Sequence, residues 1–158
     1  MSSIEDRPNT LPWPPMIYIA GAAIAVLMHW LLPLPWLSDL LGEFLFAVGV
    51  LVVAGAIAID VAAMRAMKRA KTTIMPNKAS EHLVTSGPFS FTRNPIYLGN
   101  TMLMIGAGLI AGILWLILLA PVAAYATSKL AIEREEQHLQ SRFGKKYRDY
   151  MKKVRRWI

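Results

Sequence analysis

Cysteine is absent from the 158 residues, which excludes disulfides, thiolate metal sites and cysteine nucleophiles. Only three histidines are present, and none falls in an H-x-x-x-H or H-E pattern, so no metal site is expected. Acids are scarce: 10 Asp and Glu stand against 17 Lys and Arg, a net charge of +7. That surplus fits a nucleic-acid partner in principle, but its placement argues against one. The basic residues flank apolar runs, where they meet anionic lipid headgroups and orient a membrane protein.

Apolar residues are abundant: 55% of the chain, with a mean hydropathy of +0.41. They fall in three blocks, Met16 to Leu32, Leu40 to Ala63 and Ile96 to Ala126. A bilayer core about 30 Å thick needs about 20 helical residues. The second block meets this directly, and the first does so when extended by Trp36 and Leu37. The segment ahead of the first, "MSSIEDRPNT", carries two acids and one Arg, and no small-residue cleavage site follows the apolar run. The first block is therefore expected to be a retained helix and not a signal peptide.

The third block has 31 residues, which would make a helix of roughly 46 Å, half as long again as a bilayer core. "GAGLIAG", Gly106 to Gly112, lies near its middle and permits a turn, and Pro121 would kink a returning arm. Charge separates one crossing from two. Arg65, Lys68, Arg69, Lys71 and Lys78 follow the second block, and ten Lys and Arg against four acids lie from Lys129 to Ile158. The connector "PLPWLSD" has no basic residue. The positive-inside rule then places both basic regions in the cytoplasm, and the third block must fold back on itself.

The expected architecture is a single all-α integral membrane domain over residues 1–158 with four transmembrane helices in two hairpins. The helices lie at about 16–37, 40–64, 95–109 and 113–138. A cytoplasmic loop, 65–94, and a cytoplasmic helical tail, 139–158, form a cofactor pocket, and both termini are cytoplasmic. In the loop, Thr72, Thr73, Pro76, Asn77, Ser86-Gly87-Pro88 and Asn94-Pro95 are turn chemistry. Pro95 suits the first turn of a helix whose free N–H groups receive an anion. Past the membrane, Lys129, Glu133, Glu136 and Gln137 are expected to share one helix face.

The stretch "HLVTSGPFSFTRNPIYLGN", followed 33 residues later by "EREEQHLQSRFGKKYRDYMKKVRRWI", resembles the isoprenylcysteine carboxyl methyltransferase and phospholipid methyltransferase superfamily of integral membrane enzymes. A GPF element, an R-N-P-x-Y-x-G element, a Glu-Glu pair and an FG-x-x-Y-x-x-Y tail occur in order. The resemblance covers residues 68 to 158, with "KRAKTTIMP" as its lead-in, while residues 1 to 64 show two apolar helices and nothing more specific. It implies S-adenosylmethionine as methyl donor, held at the cytoplasmic face, and a lipid or other amphiphilic acceptor in what is expected to be a bacterial inner membrane. Carried over by residue, it points to His82, Leu83, Val84, Gly87 and Pro88 in the loop. At the start of the third helix it points to Arg93, Asn94, Pro95, Tyr97 and Gly99, and at the end of the fourth to Glu135 and Glu136. Arg93 and Glu136 are the expected catalytic pair. Asn94 replaces the His of the eukaryotic carboxyl methyltransferases, which removes a titratable group and disfavours a prenyl-cysteine acceptor.

The residue types suit that donor. A Glu can hold its ammonium, Arg93 or free N–H groups its carboxylate, and Phe89, Phe91 and Tyr97 can cover adenine or face the sulfonium. A general base is needed only if the acceptor arrives protonated; His82 and Glu136 are the nearest candidates. Plainer readings stand beside these. A Glu-Glu pair can be a solvated face, Arg93 can snorkel to the interface, Tyr97 can be a belt residue, and the basic aromatic tail can lie on anionic lipid. Glu43 and Asp60 read as interfacial acids near helix ends, His29 as a packing residue, and His82 and His138 as possible neighbours. Alternatives of another class are a small four-helix transporter coupled through Glu43 or Asp60, a reductase-like relative, and a non-catalytic relative. The acceptor atom and the oligomeric state stay open.

Overall fold

The computed structural model describes residues 13–37, 39–71 and 82–158. The segment "MSSIEDRPNT" and loop residues Thr72, Thr73, Pro76, Asn77 and Lys78 lie outside them. Among the described residues every regular element is helical: α1 (Trp13–Leu31), α2 (Asp39–Arg69), α3 (Pro95–Ala111), α4 (Leu114–Thr127), α5 (Glu133–Phe143) and α6 (Lys145–Lys153). A single 3-10 turn, Gly87–Ser90, precedes α3, and a π-helical turn, Ser128–Ile132, joins α4 to α5. Among the described residues, three stretches are long and apolar enough to cross a membrane: Pro14–Leu31, Asp39–Arg69 and Leu114–Phe143. α3 is shorter, with 17 residues.

The helix ends differ from the sequence reading in understandable ways. α1 stops at Leu31, because Pro33 and Pro35 supply no N–H to continue it. α2 runs on to Arg69, so Arg65 and Lys68 are helical and the following loop is shorter than expected. Pro121 sits inside α4, which continues through it. Of the glycines in "GAGLIAG", only Gly112 makes the turn: it takes the left-handed φ of +68° just after α3, and α4 begins two residues later.

Gly106 and Gly108 serve packing instead. α2 lies along α3 through a seam in which Gly49, Ala56 and Ala63 are buried at seven-residue intervals. A Cβ at Gly106 would stand 2.7 Å from Val53 Cγ2 and 3.1 Å from Gly49 O, so the two backbones nearly touch. Gly106→Ala is therefore expected to destabilise the bundle by about 1–3 kcal/mol through overpacking. Adding Val53→Ala should restore part of the loss, as read by thermal unfolding in detergent.

α3 also packs on α4, and α1 rests mainly against α4. Tyr18, Ala25, Met104, Leu116, Ala120 and Ala123 make that core. The outward faces are apolar: Ile19, Trp30, Leu40, Phe44 and Leu51 are all exposed. Water would not tolerate such a surface, whereas lipid would. The tail behaves differently from an amphipathic segment on a membrane. α6 turns its apolar side inward, burying Tyr147 and Tyr150, with Val154 beyond it, against Leu83, Leu139 and Phe143. Its Lys145, Lys146, Lys152 and Lys153 face outward.

Candidate functional site

The loop before α3 is shaped by its glycine and prolines. Gly87 takes a φ of +62°, which an L side chain rarely adopts, and lies over Ala66 of α2. Pro88 is buried, and its carbonyl accepts the N–H groups of Phe91 and Thr92 at 3.3 and 3.2 Å. Tyr150 Oη donates to Phe89 O at 2.6 Å, which fastens α6 to the same turn. Burial pushes the Tyr150 phenol up to about 12, with Arg93 opposing, so this donor keeps its proton at physiological pH.

Asn94 stands at the N-cap of α3, but its side chain does not cap the helix. Nδ2 donates instead to Arg156 O at 2.9 Å, and Thr92 Oγ1 donates to the same carbonyl at 3.2 Å. The Arg93 N–H donates to Arg155 O at 3.0 Å. Residues 154–157 thus form an extended strap along the loop. Trp157 Nε1 pins its far side to Ser128 Oγ in the π-turn at 3.2 Å.

An ion cluster closes the arrangement. Arg156 grips Glu136 with two parallel bonds, Nε to Oε1 at 3.0 Å and Nη2 to Oε2 at 2.7 Å. Arg93 Nη2 lies 3.1 Å from the same carboxylate, and both side chains are nearly buried, 12% exposed for Arg93 and 16% for Glu136. The Glu136 hydrogen bond raises the Arg156 pKa above its ordinary value. Arg156 Nη1 also lies 3.9 Å from Glu133 Oε1, so two guanidiniums and two carboxylates share the cluster. Among the described residues, Arg93 Nε and Nη1 are buried with no hydrogen-bond partner, an unmet demand for an acceptor.

Glu135 belongs to another face. Tyr97 Oη donates to its Oε1 at 2.6 Å, across from α3 to α5. The π-turn explains the orientation of both acids, since it adds a residue to one turn and rotates everything that follows. The expected common face holds for Glu133 and Glu136, which both reach Arg156. Lys129 pairs with Glu133 at 2.6 Å at the surface, Glu136 points into the site, and Gln137 is exposed.

Of the residues singled out from sequence, Arg93, Asn94, Pro95 and Glu136 come together around the strap, and Tyr97 joins Glu135 beside them. Gly87 and Pro88 build the turn, and Leu83 packs into the tail cluster. Val84 is half-buried, and His82 is exposed at the loop's start. Gly99 faces away from this cluster, onto the Asp60 carboxylate of α2. Asp60 lies in the α2–α3 seam, nine residues before the end of α2. Sequence reading missed Thr92, Arg156 and Trp157, whose signal, "VRRWI", blends into a basic tail. Among the described residues, no three His, Asp or Glu side chains gather as metal ligands.

Fold and site define an all-helical protein with membrane-length helices and a charged, partly unsatisfied centre where loop, π-turn and strap meet. A family profile described as phospholipid methyltransferase matches residues 44–146, more than half of the chain, and the chain belongs to that family. It is accordingly an integral membrane protein of a methyltransferase family. A search of curated proteins returns no match. The matched span begins at Phe44, within α2, so the family pattern reaches into the half that had looked featureless, and it ends at Lys146, before the strap.

Proposed function

We propose that the protein transfers a methyl group from S-adenosylmethionine to a lipid or other amphiphilic acceptor at the cytoplasmic face of a bacterial inner membrane. In this reading α1 with α2, and α3 with α4 and α5, form two hairpins with both termini cytoplasmic. The observation that carries it is Arg93, whose buried Nε and Nη1 lack an acceptor beside an ion cluster that already holds its Nη2. Each of these N–H groups can make a charge-assisted bond to an oxygen of an anionic group such as the carboxylate of the donor's methionine tail. Family membership favours methyl transfer over the transporter and reductase alternatives.

When bound, the donor supplies a methyl carbon already activated by a positively charged sulfur. The chain's own residues then have three tasks. Arg93 binds the carboxylate, and Glu135, oriented by the Tyr97 hydroxyl, receives the ammonium. Glu136 acts as a positioning residue by holding Arg93 and Arg156 together. The strap and the turn around Gly87 and Pro88 shape the pocket and exclude water, which favours alignment of donor and acceptor. His82, Leu83 and Val84 form the approach to the pocket, and Asn94, Pro95 and Gly99 set the start of α3. The outward lysines of α6 meet anionic headgroups.

The test is methyl transfer from labelled S-adenosylmethionine into a total lipid extract, using the full chain in detergent. A labelled lipid is expected with the wild-type protein, and at least a hundredfold less with Glu135→Gln combined with Glu136→Gln. If a folded preparation neither binds the donor by calorimetry nor labels any lipid, the reading is wrong.

A further inference from the structure

α1 lies ahead of the matched family span and supplies none of the residues placed around the donor above. One of its side chains nonetheless reaches the site. Tyr18, 8% exposed, extends its hydroxyl from α1 to the first turns of α3. Its Oη lies 2.6 Å from Thr101 Oγ1 and 3.2 Å from Tyr97 O. Thr101 Oγ1 donates its own proton to the same Tyr97 carbonyl at 2.9 Å. The Tyr18 proton therefore ends on Tyr97 O directly, or reaches it through Thr101 as relay. Beyond this tie, α1 also touches the π-turn from which the two acids emerge.

The tie falls where α3 is least able to hold itself. Tyr97 is the third residue of the helix, in a first turn whose N–H groups have no partner within the helix. The Asn94 side chain would ordinarily satisfy one of them, but it is spent on Arg156 O. This turn is therefore held from outside, by the strap at Asn94 and by Tyr18 at the Tyr97 carbonyl. Tyr97 sends its own hydroxyl to Glu135 Oε1 at 2.6 Å, a bond short enough to depend on where the ring stands. Tyr97 and Thr101 share one face of α3 at i, i+4 spacing, so the tie acts on the side that meets Glu135. Two tyrosines in series thus join α1 to the acid that receives the donor's ammonium.

We propose that Tyr18 is a positioning residue for the methyl donor. From α1 it fixes the first turn of α3, so that the Tyr97 hydroxyl keeps Glu135 aimed at the ammonium. The proposal rests on the methyl-transfer reading above and brings α1 into the donor site. Tyr18 acts entirely through Tyr97, which separates it from a simple staple between two helices. Removing its hydroxyl leaves Tyr97 O with the Thr101 proton, so no buried group is orphaned and the bundle keeps its stability.

The test is a double-mutant cycle on the full chain in detergent. Wild type, Tyr18→Phe, Tyr97→Phe and the double variant are each titrated with S-adenosylmethionine by calorimetry. Each single variant is expected to bind the donor about tenfold more weakly. The double variant should bind within about twofold of Tyr97→Phe, because the second link is already cut. In methyl transfer into a lipid extract, Tyr18→Phe should raise the donor's KM about tenfold and leave kcat within about twofold. Its unfolding temperature should stay within about 2 °C of wild type.

Unchanged donor affinity in Tyr18→Phe, or in Tyr97→Phe, would overturn the proposal and leave the methyl-transfer reading intact. Losses that multiply to about a hundredfold in the double variant would show independent actions and overturn it too. A Tyr18→Phe variant that fails to fold, or loses several degrees along with its donor affinity, would make the hydroxyl a staple of the bundle, with the same consequence. Failure of folded wild type to bind the donor would overturn both.

Discussion

Replacing Arg93 with lysine is expected to weaken S-adenosylmethionine binding by roughly 10- to 100-fold, equivalent to about 1.5–3 kcal/mol. Lysine keeps the charge that Glu136 needs, so the loop should still fold around the Arg156 fork. What disappears is the pair of planar N–H groups, Nε and Nη1, that stand buried without acceptors. An ammonium offers a point charge in their place and cannot hold Glu136 while presenting two further N–H groups in fixed directions. Calorimetry with the donor reads this directly, independent of any acceptor. Affinity equal to wild type would show that the unmet donors of Arg93 serve something else.

Removing residues 154–158 is expected to have the larger effect on stability. The loop then loses the Arg155 and Arg156 carbonyls that accept from Arg93, Thr92 and Asn94. Glu136 loses its two-bond partner, a contribution of about 1.5–3 kcal/mol. The tail cluster loses buried Val154, about 1.5 kcal/mol more. Donor binding should vanish and thermal unfolding in detergent should shift down by several degrees, even though residues 154–158 lie outside the matched family span. Arg156→Lys isolates the ionic part. It retains every carbonyl acceptor, so a loss of binding in that variant with little change in unfolding temperature assigns the fork to positioning Arg93.

Much of this was legible in advance because lipid imposes a length. Helices of membrane span must be long apolar runs, so the cores of α1, α2 and α4 follow from hydropathy alone. The motif residues Arg93, Asn94, Pro95 and Glu136 were also readable, since their types and order carry the family pattern. What stayed hidden depends on which surfaces meet. Gly49, Ala56, Ala63 and Gly106 look like scattered small residues until α2 and α3 are laid together. That Asp60 lies against Gly99 was likewise hidden, because nothing local reveals which face of α2 meets α3. Arg156 could not be picked out of a tail rich in lysine and arginine, because its partner is 20 residues away. The tail's basic and aromatic alternation gave a membrane-surface reading. In the fold, however, the aromatic side is claimed by Leu83 and Phe143.

The π-turn between α4 and α5 acts as a gear between the membrane and the site. It sets the angle at which Glu135 and Glu136 emerge from a helix whose other half is fixed by its packing on α1 and α3. Regularising Ser128–Ile132 into ordinary α-helix with all its residues retained would swing both carboxylates by about 100°. Neither acid would be altered, yet Arg156 and Tyr97 would face the wrong side of α5. In this chain, the wide turn over those five positions is thus what aims the two acids.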